Sequence, residues 1–282
     1  MEQLWRRLLF GQNRSQQLLA VQRSSVVSSD GTPIVWTSFG SREGVVVSPG
    51  SLSDGSDWFD LAQRLADEFA VHVMARRGVG DSGNVLPYAI EREYEDIAAV
   101  LDATGSTRLV GHSFGAICAL GAALVHDGLA RLVAYEPPLS IDVAVVPPDA
   151  LVEIEDAAER GDVARAVEVG LRRCVRLGDE QVESVKRSRV WPEIVGHGAK
   201  WPLELRALHE MQPGAARYAA ISVRTLLPVG QATPAGHHHR VAAETLLAVM
   251  PDARLAEIAG SGHQGHVEAP DALARELRTF LG

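Results

Sequence analysis

Only two cysteines, Cys118 and Cys174, occur in 282 residues, and their spacing matches no metal-ligand pattern. A disulfide framework and a thiolate metal centre are therefore not expected; both thiols read as reduced, with Cys118 as filler in an apolar helical run. Basic charge is also scarce. Lys and Arg number 27 against 36 Asp and Glu, a formal net charge of −9. That balance argues against nucleic-acid and anionic-membrane partners, both of which need a dominant basic patch. No apolar run reaches membrane-spanning length. The apolar part of residues 1–10 is too short for a signal peptide, and Gln12, Asn13 and Arg14 interrupt it, so a cytoplasmic location is expected. Residues 1–23 read as an extension whose amphipathic start can pack on a partner or on the body of the fold. Internal repeats and low-complexity segments are absent.

What is present is the composition of a globular chain, 46% hydrophobic and 22% charged, long enough for a single core carrying an inserted lid. From residue 24 onward, short β-rich runs alternate with helical ones, as in a mostly parallel sheet covered by helices. Strands are expected at 25–28 and 33–37, forming a hairpin about Asp30-Gly31, and then at 44–48, 71–74, 107–110, 129–135, 223–229 and 254–258. Helices are expected at 58–69, 90–102, 116–125, 240–249 and 271–281. Between about 137 and 217 the pattern is helical throughout, with no convincing strand.

Gly111-His112-Ser113-Phe114-Gly115 lies directly after an expected strand and before a helix of small residues. That is the setting of a nucleophile elbow, in which flanking glycines let the backbone bend sharply and present the serine. The N–H of Phe114, at the helix start, then faces a developing oxyanion. A second donor is expected in the loop Ser48-Pro49-Gly50-Ser51-Leu52, from Ser51 or alternatively Leu52. Gly260-Ser261-Gly262-His263 follows the last strand, where a base can reach the serine; His266 is the competitor and is read as structural. The loop Gly230-Gln231-Ala232-Thr233-Pro234 offers no carboxylate. Glu136, at the carboxyl end of the strand after the nucleophile helix, is the expected acid, with Asp142 as a weaker stand-in.

These motifs resemble the α/β-hydrolase family over nearly all of residues 24–282. The resemblance implies an α/β fold with a mostly parallel eight-stranded sheet flanked by helices and an inserted helical cap. Its expected parts are core 1–138, cap 139–217 and core 218–282. Arg76-Arg77-Gly78-Val79-Gly80-Asp81-Ser82-Gly83 looks like the family's loop after the second parallel strand, with Asp81 as a turn-former and Ser82 shaping the turn. The loop from Ser48 to Leu52 departs from the family's usual His-Gly. Together with Glu136 and the loop 230–234, it looks most like the zearalenone-lactonase branch, which implies a Ser-His-Glu set and hydrolysis of a large lactone. That resemblance also brings forward Trp191 of the cap as a substrate contact, beside Leu52.

His237-His238-His239 reads as a solvated helix start and not a metal site, because three consecutive residues do not share one face of a regular element. No cofactor is expected. The expected partner is a small hydrophobic ester or lactone, and oligomeric state is left open, a homodimer included. A thioesterase would use the same residues, a lyase or cofactor-free oxygenase would bypass the acyl-enzyme, and a binding module would retain its ligand unchanged. Dehalogenation would need an aspartate where Ser113 stands.

Overall fold

Alternating apolar and polar residues with a tight turn between them make strands β1 (Gln22–Val27) and β2 (Pro33–Phe39) an antiparallel hairpin. Gly31 takes φ +86° in the turn, where a side chain would be strained. The computed structural model describes residues 22–211 and 213–282, so the amphipathic stretch expected at 1–10 lies outside the described residues.

The remaining elements follow in the expected alternation. They are β3 (Glu43–Ser48), α1 (Phe59–Leu65), β4 (Phe69–Met74), α2 (Ile90–Thr104), β5 (Arg108–His112), α3 (Phe114–Ala122) and β6 (Arg131–Tyr135). The helical stretch contains α4 (Pro148–Glu159), α5 (Val163–Arg173), α6 (Asp179–Lys186), α7 (Trp191–Gly196) and α8 (Trp201–Glu210), with no strand among its described residues. The sheet then resumes with β7 (Thr225–Gly230), α9 (His238–Val249), β8 (Ala253–Ile258), α10 (Gly265–Glu268) and α11 (Pro270–Leu281). The helix expected at 58–69 is shorter than its pattern. A 3₁₀ turn at Ser56–Trp58 precedes α1, and the chain enters β4 at Phe69.

The eight strands form one sheet in the order β1-β2-β4-β3-β5-β6-β7-β8. β2 alone runs opposite to the other seven strands. Val45, Val46 and Val47 in β3 are all at most 3% exposed, as a strand covered on both faces requires. From β3 the chain steps outward to β4 and then returns to β5 on the other side. That reversal opens a crevice at the strands' carboxyl ends. One apolar cluster joins α2, α3, the inserted helices and α9 on one face, and a second joins α1 and α11 on the other. Every residue of α3 is buried, and Gly121 lies so close to the Tyr94 ring that a Cβ would overlap it. Small residues thereby bring the helix after Ser113 against α2. No helix among the described residues is long and apolar enough to cross a membrane.

Candidate active site

Ser48, His112, Tyr135 and Gly230 end the four adjacent parallel strands β3, β5, β6 and β7. The functional candidates follow from these ends. Ser113 takes φ 53° and ψ −124°, and its N–H donates to the Tyr135 carbonyl at 2.9 Å. The flanking glycines are sterically required. A Cβ on Gly115 would overlap the carbonyl oxygens of Pro49 and Ser48, and one on Gly111 would come within 2.5 Å of the Gly115 carbonyl. Among the described residues, the non-glycine positions with positive φ are Leu52, Ser113, Glu136 and Arg176. Three of these four border the crevice, and each such conformation costs roughly 1–3 kcal/mol that the surrounding structure must hold.

Glu136 is fully buried and both of its oxygens are used. Oε1 accepts from the Gly230 N–H at 2.8 Å and the Thr233 hydroxyl at 2.6 Å, while Oε2 accepts from His263 Nδ1 at 2.6 Å. The loop after β7, which has no carboxylate of its own, thus serves to hold one. Burial alone would raise the Glu136 carboxyl; contact with His239 and the hydrogen bond from His263 outweigh it and hold the group well below the usual carboxylate range. His263 is fixed from the other side too. Its carbonyl accepts from His112 Nε2 at 2.9 Å, its ring lies 4.7 Å from that of His112, and the Tyr135 hydroxyl donates to the neighbouring Gly262 carbonyl at 2.5 Å. With Nδ1 bound to Glu136, the free nitrogen of His263 is Nε2.

The structure corrects the reading of the histidine triplet. His238 and His239 are buried, and His237 caps α9 from an extended conformation that turns its ring back onto the other two. His239 stacks on His263 with centroids 4.2 Å apart and planes 11° from parallel, and its Nδ1 lies 3.4 Å from Glu136 Oε2. A sequence signal for this existed. His239, Ala242, Ala243 and Leu246 recur at helical spacing, and all four are buried. The three rings of the triplet do bring nitrogens within 4.8 Å of one another, as do Glu136, His239 and His263. In the second group Nδ1 and Oε2 are 2.6 Å apart, at hydrogen-bond distance and closer than the roughly 3.3 Å between two tetrahedral zinc ligands that each lie about 2 Å from the ion. As it stands, that group is a hydrogen-bonded pair with a stacked neighbour.

The loop after β3 lies directly against the nucleophile candidate, since a Cβ on Gly50 would sit 3.1 Å from Ser113 Cβ. Ser51 follows, and Leu52 packs against the apolar cluster shared with the inserted helices. Trp191 opens α7 and is half-buried against that same cluster. His266 stacks on Trp58 at 4.5 Å, and its Nε2 lies 2.9 Å from Asp57 Oδ2. Asp142 is exposed, and exposed Asp81 pairs with Arg23. The Ser82 hydroxyl donates to the Ala75 carbonyl at 2.7 Å and accepts from the Val35 N–H at 2.9 Å, tying the loop after β4 to β2.

Three buried imidazoles give the site a pH signature. Burial, reinforced by neighbouring histidines, pushes His112 and His238 well below the usual imidazole range and His239 down to about 3. The unfolded chain takes a proton on each near pH ~6.5 and the native state does not, so stability present at neutral pH is lost as the pH falls below that value. Each contributes about 1.4 kcal/mol per pH unit, and the three together about 4 kcal/mol per pH unit. The depressed carboxyls of Asp57, Glu136 and Glu204 lose their contribution only below about pH 4, so they do not offset this slope. Urea midpoints are expected to fall steeply between pH 6 and 5. A midpoint constant over that range would show that these imidazoles protonate in the native state.

A family model described as the alpha/beta hydrolase family matches residues 45–276. The chain belongs to that family. N-formylmaleamate deformylase of Pseudomonas putida is 32% identical over 162 residues, which span 55% of this chain and 60% of the deformylase. Esterase YbfF of Escherichia coli is 27% identical over 66% of this chain and 72% of its own length. Among solved structures, an alpha/beta hydrolase from Sphaerobacter thermophilus superposes with a TM-score of 0.83 at 35% identity, covering 92% of this chain and 100% of that one. An enol-lactonase from Burkholderia xenovorans shares the fold, with a TM-score of 0.74 at 20% identity over 92% of this chain and 99% of its own. The eight-stranded, mostly parallel sheet with flanking helices is therefore that of the family.

Proposed function

We propose that the protein is a serine hydrolase that cleaves a carboxylic ester or lactone of a bulky hydrophobic substrate through an acyl-enzyme. The observation that carries this reading is the 2.6 Å hydrogen bond between buried Glu136 and His263 Nδ1, together with a serine held in the elbow conformation at the end of β5. Ser113 Oγ attacks the carbonyl carbon while His263 Nε2 takes its proton, and Glu136 stabilises the resulting imidazolium. The N–H groups of Phe114 and Ser51 receive the negative charge on the carbonyl oxygen. His263 then protonates the departing alkoxide, which in a lactone stays tethered to the acyl group. Finally, His263 deprotonates water as its oxygen attacks the acyl carbon, and returns that proton to Ser113 Oγ as the acyl–oxygen bond breaks and the acid is released. No cofactor enters these steps. The esterase and the deformylase among the relatives support acyl transfer to water.

Residues 139–217 form the cap, and Leu52 and Trp191 contact the substrate's apolar part. The support for a hydrophobic substrate is the apolar cluster that both residues share with the cap helices. A fluorophosphonate probe and intact-mass analysis test the reading. One phosphonyl adduct per chain, mapped to the peptide containing Ser113, is expected. Folded protein that stays unlabelled would overturn the acyl-enzyme mechanism and bring a binding role forward.

A further inference from the structure

The largest buried charge cluster among the described residues lies beneath the loop that supplies Ser51, and the mechanism above does not use it. Arg76, 1% exposed, donates from Nε to the Pro49 carbonyl at 3.0 Å and from Nη2 to the Gly50 carbonyl at 3.1 Å. Its Nη1 reaches Glu93 at 3.0 Å, and its guanidinium lies 4.9 Å over the Phe114 ring. The cap completes the set, with Glu204 from helix α8 and Lys200 from the 3₁₀ turn just before it. Glu204 accepts from Arg76 Nη2 at 2.7 Å and from the Ser51 hydroxyl at 2.5 Å, and Lys200 Nζ lies 2.5 Å from Glu93 and 3.1 Å from Glu204.

The Gly50 carbonyl and the Ser51 N–H belong to one planar trans peptide, so they point in opposite directions. A guanidinium that captures the carbonyl therefore aims the N–H away from itself. Gly50 packs directly against Ser113, which places that peptide at the nucleophile. Donating to the carbonyl also polarises the peptide and strengthens its N–H as a donor. Arg76 and Glu93 come from the core and pair with each other, whereas Lys200 and Glu204 both come from the cap, so the carboxylate that joins Arg76 to the Ser51 hydroxyl is present only when the cap is seated. Buried ion pairs add little net stability, and their best-attested use is to hold one geometry.

We infer that Glu204 is a positioning residue that acts through Arg76 and Ser51 to orient the Ser51 peptide, so that docking of the cap and assembly of the oxyanion hole are a single event. The inference rests on the acyl-enzyme reading above. Its consequence is that binding which seats the cap also activates the carbonyl.

The test compares p-nitrophenyl butyrate with its thiono analogue, whose sulfur is larger and accepts hydrogen bonds weakly, and so gains little from aligned N–H groups. Glu204→Gln is expected to lower kcat for the oxygen ester about 30-fold, less than the hundredfold or more that follows loss of a whole donor, with KM within about twofold. Turnover of the thiono ester should change less than about threefold, so the oxygen-to-sulfur rate ratio falls about tenfold. Ser51→Ala keeps the N–H and all four buried charges, and should lower the ratio in the same direction by a smaller factor. It decides the matter if Glu204→Gln does not fold. Equal losses on both esters, or an unchanged ratio in folded variants, would overturn the inference. Wild-type protein that is folded but hydrolyses neither ester and takes no fluorophosphonate would instead overturn the hydrolase reading.

Discussion

Ser113→Ala is expected to lower kcat for ester hydrolysis about 10⁶-fold and to abolish fluorophosphonate labelling, leaving the residual rate that binding and the oxyanion donors sustain without a nucleophile. The fold should be unaffected, because alanine keeps the same backbone and removes one small oxygen. Ser113→Gly separates strain from chemistry. At φ 53° and ψ −124° a side chain is penalised and glycine is not, so this variant should be as inactive as Ser113→Ala yet about 1 kcal/mol more stable. Urea denaturation of the three proteins, alongside hydrolysis rates, checks both statements. Residual activity within about a hundredfold of wild type in Ser113→Ala would sink the acyl-enzyme mechanism. A Ser113→Gly variant no more stable than Ser113→Ala would show that the elbow stores no strain.

Glu136→Gln should reduce kcat about 10⁴-fold with the protein still folded. The amide can replace the acceptor at Oε1, where Gly230 and Thr233 donate. It then presents an NH₂ group to His263 Nδ1, which needs an acceptor in order to keep its proton and leave Nε2 free as the base. The imidazolium formed during attack also loses its countercharge. Single-turnover labelling by fluorophosphonate at pH 7 measures the effect directly. A loss under about tenfold would mean that another carboxylate serves His263, which exposed Asp142 and Asp81 are badly placed to do. Glu136 sits at the end of β6, one strand nearer the nucleophile than the β7 loop. Its choice as the candidate acid followed from finding that loop empty of carboxylates.

The residues legible in the sequence are those whose roles rest on local geometry. The elbow at 111–115, the hairpin turn at Gly31 and the run Val45-Val46-Val47 each follow from steric or burial rules that act within a few residues, and the mostly parallel sheet follows from strands alternating with helices. Glu136 and His263 were readable as candidates because parallel sheets gather their chemistry at strand ends, yet the hydrogen bond between them spans 127 residues. His239 was misread because the run of three histidines looked hydrophilic. Its helical spacing to Ala242, Ala243 and Leu246 carried the better signal, and burial against His263 is what makes the imidazole neutral.

For the cluster of Arg76, Glu93, Lys200 and Glu204, nothing local distinguishes these four from charged residues on a surface. The sequence by itself determined the sheet, the elbow and the class of chemistry, since each depends on short-range periodicity and backbone sterics. Only the tertiary structure decided which charges are buried together, because that requires the cap helix to close over the loop at Pro49-Gly50-Ser51. Packing elements 128 residues apart in the chain removes the water that would otherwise screen those charges, and the guanidinium is then held to the carbonyls it orients.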